Sequence, residues 1–344
     1  MRIEDLNYHL PAGLIAQYPI EPRDKARLLV LKRRGGEMTH SVFSRLGDFL
    51  RRGDCLVIND TRVIAARLCG HKETRGRVEV LLVRKVAGVS EEWECLVNRG
   101  KRLKTGARLR FAPDLEAEVV GNGPEGKKRI SFEARGTFGE IIERIGHVPL
   151  PPYIRGGVDE SLDKEGYQTI FARDEGAIAA PTAGLHFTPD LVRGLERQGV
   201  VIVPLTLHVG LGSFQPIRHE EVEEHRLEPE FYRISPSSAE AINAARAQGG
   251  RICAVGTTVA RALETAVDEA RKVHPGEGMT DLYIYPGYRF RAIDALVTNF
   301  HLPRSTLLLL VFAFAGRALV MTAYQAAIRE EYGFYSYGDG MLIM

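Results

Sequence analysis

Three histidines sit among small or polar residues rather than in charged runs: His186 in "AAPTAGLHFTPD", His208 in "PLTLHVG" and His301 in "DALVTNFHLPRSTLL". Imidazole changes charge near neutral pH, so each is a candidate for moving a proton. "VINDTR" adds a carboxylate and a cation, Asp60 and Arg62. "RICAVGTTVARALE" places Gly256, Thr257 and Thr258 where a strand-like run meets a helix-like one. Free backbone N–H groups and two hydroxyls at a helix start suit a carboxylate or phosphate. The plainer readings are packing and capping. A Thr can cap any helix, and a lone His between Leu185 and Phe187 is more often a core residue.

The elements that must position these groups favour a site. "CLVIND", "VVIVPLTLHV", "RICAV" and "DALVTN" read as apolar strands, and each ends in polar residues. In an open α/β sheet, ligands bind beyond the carboxyl ends of the strands. One polar strand end can be a satisfied loop; four together argue for a pocket. His186 stands just before a helix capped by Thr188 with Pro189 at its first position. Thr182, Ala183 and Gly184 precede it, and the small residues permit close backbone approach.

The rest of the α/β pattern follows. "RLLVL" reads as a strand, "THSVFSRLGDFLRRGD" as a helix and "DLYIY" as another strand. Helices follow Ser235-Pro236 and Pro303. Between about Thr61 and Arg135 the texture changes to short alternating runs separated by glycine-rich turns, such as "RVEVLLVRKV", "ARLRFA" and "RISFEA", which suggests a small β-barrel. The expected architecture is α/β: a discontinuous domain, residues 1–60 and 136–344, with a layered and largely parallel sheet, and an inserted β-barrel over residues 61–135.

Composition bounds the function. With 44% hydrophobic and 26% charged residues the chain can build a sizeable core, and its length suits about two domains. Net charge is only +2, but residues 61–110 carry 13 Lys+Arg against 5 Asp+Glu. Such a local excess can be the footprint of a phosphate backbone or simply a solvated barrel face. Four scattered cysteines with no C-x-x-C spacing fit a reducing cytosol, and no metal site is expected. The nine-residue run "LLLLVFAFA" is too short to span a bilayer and reads as a buried helix.

Several motifs come close and fail. "GNGPEGKK" has phosphate-loop spacing but Lys128 where magnesium needs a hydroxyl, and it lies between strands. "VGLGSF" lacks the third glycine of a dinucleotide fingerprint. In "HEEVEEH" the histidines are six residues apart, not the four that a zinc-binding helix face requires.

The long stretches "LPAGLIAQYPIEPRDKARLLVL", "VINDTRVIAARL", "GHVPLPPYI", "YQTIFA", "GAIAAPTAGLHFT", "TLHVGLGSFQPI", "AVGTTVARALE", "YPGYRF", "LVTNFHLPRSTLLLLVFAFAG" and "FYSYGDGMLI" together resemble the S-adenosylmethionine:tRNA ribosyltransferase-isomerase family of queuosine biosynthesis. The resemblance covers essentially the whole chain. One departure is "HRLEPE", where Glu228 stands in place of a family histidine while His225 and Glu230 remain.

The resemblance implies an α/β domain interrupted by a β-barrel. It implies transfer of the ribosyl group of S-adenosylmethionine, as cosubstrate, to the aminomethyl arm of a 7-deazaguanine at the tRNA wobble position. Rearrangement then gives epoxyqueuosine, with adenine and methionine released. No metal or redox cofactor is implied. The cysteine usage points to a cytoplasmic setting, and with no large exposed apolar stripe evident in the sequence a monomer is expected. The sulfonium acidifies its neighbouring carbon, so the protein needs a base, an acid and rigid positioning. His186, His208, His301 and Asp60 are then the catalytic candidates, with Asp60 either a base or the holder of the cationic arm. Arg62, Thr182, Gly184, Thr257, Thr258 and Asn299 are substrate-binding candidates; Thr257 and Thr258, or Arg62, can hold the methionine carboxylate. Arg75, Arg77, Lys101, Arg102 and Lys104 are candidates for gripping tRNA. A methyltransferase using the same cosubstrate and a plain tRNA-binding module are the competing readings.

Overall fold

Every residue of Cys55–Asn59, Ile252–Val255 and Ala295–Asn299 is buried. Strands apolar on both faces need cover on both sides, which an α/β layer supplies. The computed structural model describes residues 1–86, 88, 91–98, 103–210, 212, 217 and 219–344. Two compact units emerge, Met1–Arg62 with Gln168–Met344, and Val63–Tyr167.

The first unit carries, among the described residues, a nine-stranded sheet. Its order is Gly276–Thr280, Glu230–Ile234, Val201–Leu207, Cys55–Asn59, Ile252–Val255, Ala295–Asn299, Gly340–Ile343, Arg27–Leu31 and Met38–Val42. The four strands from Val201–Leu207 to Ala295–Asn299 are adjacent and mutually parallel, with Leu205 opposite Asn59, Ala254 opposite Val57 and Val255 opposite Val297. Their carboxyl ends therefore share one edge of the sheet. Toward both flanks antiparallel pairs appear, so the sheet is parallel at its centre and mixed overall.

Side chains alternate between the faces. On one face Val57, Leu205, Ala254 and Leu296 pack with Ile242, Leu263, Leu309 and Tyr324 from the covering helices. On the other Leu56, Ile58, Val255 and Val297 pack with Phe43, Leu46, Phe187, Leu191 and Leu195. Each such side chain contributes about 1.5–3 kcal/mol by leaving water. The caps follow the sequence. Thr188 Oγ1 accepts from the Leu191 N–H ahead of the helix Pro189–Gln198, and Ser235 Oγ accepts from Ser238 N–H ahead of Pro236–Ala247.

Three expectations change. The expected helix from Thr39 onward is the edge strand Met38–Val42 followed by a 3₁₀ turn, Phe43–Phe49; backbone pairing with Arg27–Leu31 takes the first residues. "DLYIY" is not a strand: the pairing segment lies just before it, at Gly276–Thr280, and the Leu282 carbonyl is taken by Arg261 Nε. The helix after Pro303 is two, Thr306–Ala315 and Arg317–Arg329, bent by 115° at Gly316, whose φ is +86°. Among the described residues no single helix is long and apolar enough to cross a membrane.

The second unit holds a closed antiparallel barrel ordered Lys128–Ala134, Glu92–Val97, Arg77–Lys85, Arg67–Lys72, Arg108–Ala112 and Leu115–Asn122. Alternate residues fill it, among them Leu68, Val80, Leu82, Leu109, Val119 and Ile130. Closure removes the exposed edges that short strands otherwise present. The unit runs past the expected boundary at Arg135, because the following helix, Phe138–Ile145, packs Phe138 against Phe132 and Trp93. Arg67 then exchanges backbone hydrogen bonds with His147, and its guanidinium pairs with Asp159 at 2.5 Å.

Candidate active site

Asn59 ends its strand with a side chain that stands in for the ladder. Its Oδ1 accepts from Leu207 N–H and Thr61 N–H, and its Nδ2 donates to the Leu207 carbonyl. This fixes the turn that presents Asp60 and Thr61 beside the end of Val201–Leu207. Asp60 is buried; Oδ1 accepts from Thr206 Oγ1 at 2.7 Å and Oδ2 pairs with Arg173 Nη2 at 3.1 Å. Thr61 Oγ1 lies 2.8 Å from His208 Nδ1, and the imidazole stacks on Phe231 with centroids 5.3 Å apart. The other ring nitrogen faces Gly176, where a Cβ would lie 2.7 Å away, so only glycine fits there. Burial lowers the proton affinity of His208; Arg233 acts the same way, while Asp174 and Asp60 oppose it. Arg233 is held by Asp174, and half-exposed Arg62 lies 3.6 Å from Glu175.

The second group lies at the ends of the next two strands. Asn299 closes Ala295–Asn299, and its Oδ1 accepts from Thr182 Oγ1 at 3.1 Å while its Nδ2 lies 3.1 Å from His186 Nε2. An amide nitrogen only donates, so Nε2 accepts and the ring proton of His186 sits on Nδ1. Burial first, then the Arg23 charge, pushes His186 down to about 4. The ring lies against Phe43 at 4.7 Å and faces a narrow cleft lined by Pro19, Ile20, Arg23, Ser336 and Tyr337. Gly184, in the same 3₁₀ turn, packs against Thr169.

Gly256 ends Ile252–Val255 and starts the helix Thr257–Ala266. Its φ of +98° with ψ of 152° is a conformation essentially reserved for glycine. It offers no side chain to cap the helix, whose first N–H groups lack intrahelical partners. Thr257 and Thr258 are both buried, and Thr258 Oγ1 has no hydrogen-bond partner among the described residues. A Cβ at Gly256 would lie 3.5 Å from that hydroxyl and 3.7 Å from Ala183 Cβ, which puts the helix start beside the His186 turn.

His301 is different. Its Nε2 lies 2.8 Å from Thr298 Oγ1, its N–H donates to Tyr324 Oη and its carbonyl accepts from Tyr8 Oη. Thr298 points to the sheet face opposite Asn299, so His301 belongs with the packed tyrosines there. Burial pushes it down to about 3.

The strand ends thus bring Asp60 and His208 together, and His186, Thr182, Asn299 and the Gly256–Thr258 helix start together. One segment, Arg173 to His186, runs from the first group to the second, with Ile178 N–H bonded to the Val209 carbonyl between them. Sequence reasoning missed Arg173, Asp174 and Arg233. Nothing in their spacing marks them, because the Asp174–Ala177 strand is too short and polar to announce itself. Arg23, in the quoted "EPRDKA", was equally silent.

In the second unit Arg75, Arg77 and Lys104 are exposed and make no ion pair among the described residues; Arg75 sits at a hairpin tip. Lys101 and Arg102 lie outside the described residues. Much of the remaining basic excess is paired across strands, as in Arg84–Glu94 and Arg129–Glu92. A cavity of about 670 Å³ lies in this unit over Phe132 and Phe138, but Glu91, Asp114, Glu116 and Glu133 make it acidic.

The profile of the family described as "Queuosine biosynthesis protein" matches residues 3–343. The S-adenosylmethionine:tRNA ribosyltransferase-isomerases of Moorella thermoacetica and Symbiobacterium thermophilum are each 51% identical over the full length of both chains. The crystal structure of S-adenosylmethionine tRNA ribosyltransferase from Thermotoga maritima is 36% identical, covers 99% of this chain and 100% of its own, and superposes with a TM-score of 0.56. Because the match runs through both units and through every strand end described above, the chain belongs to the queuosine biosynthesis protein family.

Proposed function

We propose that this protein is an S-adenosylmethionine-dependent tRNA ribosyltransferase-isomerase. It moves the ribosyl group of S-adenosylmethionine to the 7-aminomethyl-7-deazaguanine at the wobble position of tRNA and rearranges it to epoxyqueuosine, releasing adenine and methionine. The observation that carries this reading is full-length identity near 50% to relatives of that name, joined to polar groups on the ends of four adjacent parallel strands.

The donor supplies much of the driving force. Its positive sulfur acidifies the adjoining carbon, so a modest base suffices there, and a positioned acid helps adenine leave. Asp60 and His208 form the group that handles protons and the cationic arm. His186, held by Asn299 and Thr182, is the neutral imidazole of the second group, and Gly256–Thr258 takes an anionic group of the donor. His301 acts through packing, by fixing Thr298 and the strand end. Arg62 can meet either the donor carboxylate or a tRNA phosphate by leaving Glu175. Arg75, Arg77 and Lys104 take the RNA backbone, with the target base splayed out of a single-stranded loop. The protein works as a cytoplasmic monomer with no cofactor beyond its cosubstrate.

One assay tests the reading. With labelled S-adenosylmethionine and tRNA bearing the aminomethyl base, free adenine and methionine are the expected products. S-adenosylhomocysteine instead would make the protein a methyltransferase. Binding of tRNA with no turnover would leave only a binding module.

A further inference from the structure

Asp60 and Arg173 form an unequal pair. The Asp60 side chain is 7% exposed and that of Arg173 is 76% exposed. The carboxylate is fixed from several sides. Its backbone N–H donates to the Leu205 carbonyl, its own carbonyl accepts from Arg173 and Asp174 N–H, and Oδ1 accepts from Thr206 Oγ1. The guanidinium reaches it through Nη2 to Oδ2 at 3.1 Å and otherwise lies in solvent. A solvent-exposed guanidinium held by a single contact is screened and pays side-chain entropy to stay in place, so it is tethered weakly. A buried carboxylate left without a cation, by contrast, is strongly unfavourable. The neighbouring cations are engaged elsewhere, Arg233 with Asp174 and Arg62 with Glu175. Burial works against a positive charge on His208. Asp60 therefore gives up Arg173 readily, but only to another cation.

We propose that Arg173 is a stand-in. In the empty protein its guanidinium occupies the place of a primary ammonium that a substrate brings to Asp60, and it swings into solvent when that ammonium arrives. This rests on the function proposed above, in which the tRNA base carries an aminomethyl arm and the donor an α-ammonium. A sulfonium does not fit the place, because it has no N–H to replace the bond on Oδ2. A compact ammonium with three rotatable donors does. Arg173 is thus a specificity residue: it keeps Asp60 satisfied without a substrate and makes neutral ligands compete against an existing ion pair.

Equilibrium binding without turnover tests this. One arm compares tRNA bearing the aminomethyl base with the same tRNA bearing unmodified guanine. The other compares S-adenosylmethionine with its deaminated analogue. Asp60→Asn, which keeps the Thr206 contact, should abolish the preference for the ammonium-bearing partner in the arm that uses this site. Arg173→Ala and Arg173→Gln should both raise that preference, by at least about two- to five-fold, because the ammonium then meets a buried carboxylate with no arginine to displace. Methylammonium should compete better against these variants than against wild type, and Arg173→Lys should restore wild-type behaviour. If the Arg173 variants lose the preference together with Asp60→Asn, or leave it unchanged, Arg173 is a brace and the proposal is overturned. Wild-type protein with no preference in either arm would also overturn the proposal, whereas the proposed function is overturned only if adenine and methionine are not released.

Discussion

Asn299 Nδ2 donates to His186 Nε2 at 3.1 Å while Asn299 Oδ1 accepts from Thr182 Oγ1 at 3.1 Å. The strand Ala295–Asn299 thereby dictates the tautomer of a histidine on a separate turn. Asn299→Ala leaves a buried imidazole nitrogen and a hydroxyl without their partner, which costs about 1–3 kcal/mol. It also frees the ring to tilt, and misplacement of this kind can cost on the order of 100-fold in rate. Adenine release should fall by that order while tRNA binding, read by filter retention, stays at the wild-type level. Asn299→Asp keeps the acceptor for Thr182 but sets a carboxylate against the ring. The proton affinity of His186 should then rise, visible as an upward shift of its imidazole resonances on titration.

The buried histidines make a prediction about acid stability. Both are held neutral by burial, His186 down to about 4 and His301 down to about 3, against an ordinary 6.5. Below pH 6.5 the unfolded chain takes up protons that the folded chain refuses, so stability present at neutral pH is lost as pH falls toward 4. Each refused proton steepens the slope by about 1.4 kcal/mol per pH unit. Asp54, lowered by its bonds to Arg251 despite burial, works in a more acidic window, below its ordinary 3.8. Urea unfolding at pH 7.5, 6.5, 5.5 and 4.5 isolates the histidines. His301→Gln, able to keep the Thr298 contact, should flatten the slope by one proton; an unchanged slope would place His301 in a protonated state in the fold.

The central fold was legible because its strands are continuous apolar runs ending in polar residues, as "CLVIND" and "DALVTN" do. Periodicity could not find Met38–Val42, an edge strand whose exposed Thr39 and His40 hide its pairing, or tell "DLYIY" from the neighbouring Gly276–Thr280. The site was legible as a list of strand-end residues but not as two groups. Thr298 and Asn299 are consecutive, and alternation alone sends them to opposite faces, which separates His301 from His186. Arg173 stayed hidden because its importance comes from lying over Asp60, a contact between residues 113 positions apart.

The Gly256 helix start separates stability from binding. Gly256→Ala forces a side chain into a conformation that costs about 1–3 kcal/mol, although the nearest atoms leave room for the methyl. Thr258→Val removes a buried hydroxyl that has no partner among the described residues, so folding should be unaffected or improved. If that hydroxyl and the adjoining N–H groups hold an anionic group of the donor, Thr258→Val should weaken S-adenosylmethionine binding several-fold, about 1 kcal/mol or more for a bond to a charged group. Thr258→Ser should retain it. Calorimetric titration that finds equal affinity for all three proteins would confine Thr258 to packing.

The barrel's cations divide into free and paired. Arg75, Arg77 and Lys104 have no ion-pair partner among the described residues, whereas Arg84 is bound by Glu94 through two contacts, at 2.9 and 3.1 Å. A cation that meets an RNA phosphate releases a counterion, and for single-stranded segments each contact contributes about 0.7 to the slope of log affinity against log salt. Replacing Arg75, Arg77 or Lys104 by Ala should lower that slope by about this amount each, with weaker binding at low salt. Replacing Arg84 should leave the slope unchanged, because its charge is already neutralised across the strand. The measurement is tRNA affinity from 50 to 300 mM salt, a range chosen on the order of the Debye screening that governs such contacts. A wild-type affinity that does not respond to salt would remove the barrel from RNA binding altogether, and the excess of Lys and Arg there would be a solvated face.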